Sequence, residues 1–184
     1  MAALVAAALA QIGDRTAWLA AILAERYRAA WLVIAMAALA LLAASGIAAA
    51  AASLVAARMT PEARQLFLAL ALLLQGGGSL TRSKPPERLA GWRIGAALTS
   101  LAGLFILAFG DGIQFIVLAL ATRSPLPWLA AIGATAGSLA VIVPAALLGE
   151  ADWLALPLRQ ARLVIAIGFL ITGAWLALSA VSLI

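Results

Sequence analysis

The chain has 184 residues, of which 66% are apolar and only 10% charged, with a mean hydropathy of +1.14; this balance excludes water as its main solvent and marks an integral membrane protein. It contains no cysteine and no histidine, so disulfides, thiolate or imidazole metal sites and histidine proton relays are excluded. A net charge of +5 and a pI near 11.4 would suit nucleic acid, but the basic residues lie in loops between apolar runs, where retention on the cytoplasmic side accounts for them and no nucleic-acid partner is expected.

About 20 residues of helix cross the roughly 30 Å hydrocarbon core of a bilayer. Charged clusters divide the chain into six such segments, predicted as helices at 2–24, 30–56, 65–81, 93–121, 128–148 and 161–183. No basic stretch precedes the first, which therefore reads as a retained helix and not a signal sequence. It carries Gly13-Asp14-Arg15-Thr16 inside an apolar run. The second and fifth hold small polar residues, Ser45 and Ser53 in one, Thr135 and Ser138 in the other, of the kind that pack helices closely. Gln75 to Ser79 loosen the end of the third. A basic loop with Pro85 and Pro86 follows, then the fourth segment with Gly110-Asp111. Pro144 is expected to kink the fifth, and a kink can serve as a hinge. Trp31, Trp92 and Trp128 stand where helices begin, as interface anchors do.

An internal repeat organises these segments. Sliding the chain by 97 residues pairs Gly13-Asp14 with Gly110-Asp111, Arg26 with Arg123 and Trp31 with Trp128; one further residue pairs Ala63-Arg64 with Ala161-Arg162. Each copy holds three helices, an odd number, so the second copy enters the membrane from the opposite side. The expected fold is an all-α integral membrane protein with six transmembrane helices as two inverted three-helix repeats, 1–81 and 93–184, joined by a cytoplasmic linker at 82–92. The loops after the first, third and fifth helices carry Arg26, Arg28, Arg82, Lys84, Arg88, Arg93, Arg159 and Arg162, against Arg58, Arg64 and Arg123 on the other side. The positive-inside rule then places both termini outside.

Asp14 lies twelve residues before Arg26, and Asp111 twelve before Arg123, so each is about 18 Å from its helix end and near the midplane. Ionisable residues at that depth are costly and serve function more often than structure. Gln11 shares a helix face with Asp14, and Gln114 with Asp111. Two carboxylates, two amide carbonyls and the Thr16 hydroxyl make a set of hard oxygen donors suited to Ca²⁺, Mn²⁺ or Mg²⁺. Gly13 and Gly110 permit close helix approach or local unwinding, and Arg15 can balance the charge of Asp14. A structural pairing of Asp14 with Arg15 or a glutamine is the plainer alternative.

Gln11-Ile12-Gly13-Asp14-Arg15-Thr16 resembles the Glu-x-Gly-Asp-Lys/Arg-Thr/Ser signature of the Gdt-type calcium/manganese:proton antiporters, whose eukaryotic members reside in the Golgi. Ala108-Phe109-Gly110-Asp111-Gly112-Ile113-Gln114 is similar to its second copy, and Ala24 to Tyr27 resembles the family's Ala-x-Arg-Tyr helix end. In this chain Gln11 and Ala108 stand at the glutamate positions, and Gly112 and Ile113 at the second basic and hydroxyl positions. The resemblance implies a secondary transporter of the bacterial inner (plasma) membrane that exchanges Mn²⁺ or Ca²⁺ for protons, exporting the metal, with the cation as substrate and no resident cofactor. Its partners would be the lipid bilayer and a divalent cation, and a homo-oligomer is compatible with it. Two further readings stay open: the same fold carrying a small polar solute, and a non-transporting scaffold or regulatory paralogue. No nucleophile–base pair is visible, so an enzyme is not expected.

Overall fold

The computed structural model describes residues 1–81 and 84–181; Arg82 of the basic loop and the last residues of the sixth predicted segment lie outside them. Among the described residues there are eight helices and no strand: α1 Ala2–Gln11, α2 Arg15–Tyr27, α3 Ala30–Ala56, α4 Pro61–Leu80, α5 Ala96–Phe109, α6 Ile113–Thr122, α7 Pro127–Ala155 and α8 Leu158–Ala180. The first and fourth predicted segments are therefore each two short helices. Gly13 separates α1 from α2 with φ +71, a region open to glycine at little cost. Ile12 and Asp14 beside it are extended. Between α5 and α6 the dihedrals of Gly110 and Gly112 stay right-handed, yet the pair is bent by 65°.

Local chemistry sets the other differences from expectation. The third helix starts at Pro61 and not at 65, because the Thr60 side chain accepts a hydrogen bond from the Ala63 N–H and proline fits the first helical position. It also stays helical through the glycines at 76–78 to Leu80. The fifth runs through Pro144 and leaves helical angles only at Gly149 (φ 81, ψ 175), where the freed N–H of Glu150 donates to the Glu25 carboxylate. The break expected at the proline lies at this glycine instead.

By length and composition α3, α7 and α8 can cross a membrane, and the bent pair α5 with α6 makes a fourth candidate span. α1 is too short alone, α2 carries Arg15, Glu25 and Arg26, and α4 is diluted by Arg64, two glutamines and three glycines. α8 leaves Val164, Ile171 and Trp175 bare, an apolar face suited to lipid.

The core forms two layers. One joins α1, α4, α6, α8, the end of α3 and the start of α7; the other joins α2, α5, the start of α3 and the end of α7. Each broken segment thus gives one half to each layer, and the two run through them in opposite directions. The pairings repeat as well: α1 packs on α7 as α5 packs on α3, α2 on α7 as α6 on α3, while α3 faces α7 and α4 faces α8. One departure stands out: α4 packs on α6, whereas α8 has no comparable contact with α2. Glycines set the closest approaches, since a Cβ on Gly137 would strike the Leu4 carbonyl and one on Gly76 would lie 2.9 Å from the Ala166 oxygen.

The connection between α4 and α5 is strapped down. Arg26 donates to the carbonyls of Arg88, Leu89 and Ala90 at 3.0–3.4 Å, and Leu89 is buried against Gly103 and Leu19. The Arg88–Glu150 ion pair at 2.7 Å is 66% exposed on the arginine side and adds at most about 1 kcal/mol. Arg26→Ala is therefore expected to speed tryptic cleavage at Arg88 and Arg93, with Arg88→Ala changing cleavage at Arg93 far less. Equal rates at Arg93 in wild type and Arg26→Ala would remove the strap.

Candidate functional site

Asp14 is placed by the break that precedes it. With its backbone extended, its carboxylate turns onto the first turn of α2 and accepts the Thr16 N–H at 2.8 Å, an N-cap. The Gln11 Nε2, at the end of α1, approaches the same oxygen at 3.5 Å. Gln11 is fully buried, and its Oε1 has no hydrogen-bond partner. Gln114, in the first turn of α6, is 92% buried with its Oε1 likewise unpartnered. An unpaired buried polar group costs about 1–3 kcal/mol, and here the same atom type is left unpaired beside both breaks.

The two breaks meet. Asp14, Arg15 and Thr16 from one and Leu107, Gly110 and Asp111 from the other line a single cavity of about 50 Å³. Gln11 and Gln114 flank the breaks without lining this cavity, and Gly13 faces elsewhere. Arg15 is exposed and makes no ion pair with Asp14; among the described residues the ion pair is Arg88–Glu150. No cluster of three or more acidic groups occurs among them, so a cation held here would complete its shell with amide and backbone oxygens. α2 begins directly after Asp14, and α6 begins two residues after Asp111. The C-termini of α1 and α5 end at the same breaks, each with roughly half a negative charge.

A larger cavity of about 360 Å³ opens beside Asp14, lined among others by Gly13, Ser79, Thr81, Arg159 and Arg162. Arg162 donates to the carbonyl oxygens of Gly13 at 3.5 Å and Gly78 at 3.2 Å. In sequence Arg162 is, with Arg159, one of the basic residues around the start of the sixth predicted segment. Its match to Arg64 in the repeat was a signal of position, but nothing in the sequence ties it to Gly13.

A chain of apolar helices whose core is divided at two breaks, each beside a carboxylate and both on one small polar cavity, has the features of a secondary transporter. The sequence matches the family described as divalent cation/proton antiporter GDT1 over residues 1–86 and 96–183. The chain belongs to that family, as a multi-pass membrane protein whose class is divalent cation/proton antiport. No curated protein and no solved structure matches it.

Proposed function

We propose that the chain exchanges Mn²⁺ or Ca²⁺ for protons at one site shared by Asp14 and Asp111, exporting the cation from the cytoplasm of a bacterial cell. The observation that carries this reading is the cavity lined by both Gly-Asp breaks. Its 50 Å³ suits an ion with a water or two, against the roughly 300 Å³ or more of pockets for organic ligands. That favours a metal over a polar solute. The unpartnered amide oxygens of Gln11 and Gln114, buried beside the two breaks, favour a bound cation over a scaffold, because a turn of either side chain toward the cavity would give a cation a donor.

The charge balance is simple. Two ionised carboxylates neutralise one divalent ion, and two protons neutralise them after it leaves. Thr16 and the glutamine oxygens add donors, Arg15 offsets part of the charge, and Gly13 and Gly110 let the segments bend. Counting α1 with α2, α5 with α6, and α4 among the spans gives six crossings. The exchangeable helix pairings and the opposed course of the broken segments support an inverted repeat. The larger cavity opens from Asp14 toward Arg159 and Arg162, on the more basic side, which supports access from the cytoplasm with both termini outside.

The test is proton movement by the purified protein in liposomes, driven in turn by Mn²⁺, Ca²⁺, Mg²⁺ and Na⁺. Saturable proton release with Mn²⁺ or Ca²⁺ is expected. A response to Na⁺ alone, or to none of the four, would sink the proposal.

A further inference from the structure

Gln75 enters the picture from α4, a helix that neither Gly-Asp motif touches in sequence. It is 92% buried, and its side chain makes no hydrogen bond among the described residues. Its amide oxygen lies against Gly112, in the space that a Cβ at that position would take. Gly112 immediately follows Asp111 and begins the turn into α6. In the 97-residue register its mate is Arg15. The first break thus presents a guanidinium after its aspartate, and the second presents a gap filled by a neutral carbonyl oxygen from another helix.

We propose that Gln75 is a further ligand of the transported divalent cation, an amide oxygen that α4 supplies at the second break. This rests on the shared-site reading above. The electrostatic gain is direct: a second arginine at 112 would bring two carboxylates and two guanidinium groups to a net charge of zero, whereas Gln75 leaves the site at minus one and adds a donor. Amide oxygens are ordinary ligands of hard divalent ions. The position of α4 also gives the ligand a mechanical consequence. α4 packs mainly on α8, and its link to the rest of the helices runs through α6. A cation that draws the Gln75 oxygen toward Asp111 pulls on the α4–α8 pair, and Arg162 of that pair holds the Gly13 carbonyl at the other break. Ion binding and the state of the cavity beside Asp14 are thereby coupled through one pair of helices.

The experiment measures Mn²⁺- and Ca²⁺-driven proton release in liposomes for Gln75→Met, Gln75→Ala, Gly112→Ala and the double variant Gly112→Ala/Gln75→Ala. Methionine keeps the length and packing of glutamine without its oxygen. Gly112 has helical angles (φ −59, ψ −21), so alanine fits the backbone and conflicts only with Gln75. Gln75→Met is expected to raise KM about tenfold, on the scale of one modest ligand, with kcat little changed. Gly112→Ala should raise it similarly by displacing the oxygen. The double variant should keep the raised KM of Gln75→Ala, since the new Cβ refills the space but supplies no donor. A wild-type KM in Gln75→Met, or recovery of wild-type KM in the double variant, would mean that Gln75 only fills space and would overturn the inference while leaving the shared site standing. Failure of the unaltered protein to exchange any cation would overturn both.

Discussion

Asp14→Asn and Asp111→Asn are each expected to lower Mn²⁺- or Ca²⁺-driven proton movement at least about 100-fold, the loss that follows removal of one buried charge from its partner. Folding should survive both changes. Asparagine is as good an N-cap as aspartate, so the 2.8 Å bond from the Thr16 N–H is kept. The turns around Asp111 use its backbone, through Asp111 N–H to Ala108 and Gln114 N–H to Asp111. A charge near the bilayer centre costs about 2.5–3.5 kcal/mol on insertion scales, so its removal should leave the melting temperature unchanged or raised. A structural aspartate would behave in the opposite way, with lower stability and retained exchange. Asp14→Ala separates the two roles further: it should lose activity and also about 1 kcal/mol from the cap. Exchange that persists in both asparagine variants would dismiss the joint site.

Gly137→Leu should give the largest loss of stability. The absent Cβ leaves room for the Leu4 carbonyl and the backbone of Ala8, so α1 seats on α7 at backbone contact. A leucine there forces the helices apart at about 3 kcal/mol, or roughly 6–12 °C in Tm for a chain of this size. Gly46→Ala is the matched control, since nothing lies within 4 Å of its Cβ position and alanine favours a helix. Because α1 carries Gln11 at its end, a partly folded Gly137 variant should also show a raised KM for the cation. Equal melting temperatures for the two variants would contradict the packing described for α1 and α7.

Much of the site could be read from the chain because charges are rare in it. Two aspartates in apolar runs, in the same register of a repeat, needed no structure to be singled out. The breaks beside them were legible only as an option: Gly13 permits a positive φ, but an isolated glycine does not say whether the chain will use it. Gly149 makes the same point, since it holds the break in helical angles while the more conspicuous Pro144 stays within helix α7. Residues 75–79 loosen the end of the third predicted helix in sequence, where the structure has continuous helix and a buried glutamine.

The sequence by itself determined the solvent and singled out the two carboxylates, since both follow from hydropathy, charge and spacing along one dimension. The tertiary structure alone decided that Asp14 and Asp111 line one cavity, that Arg162 reaches the Gly13 carbonyl, and that Gln75 fills the gap at Gly112. In helices built so largely of alanine and leucine, many faces look alike in sequence. Which of them touch is settled by close packing at a few glycines, and that packing brings together residues far apart in the chain.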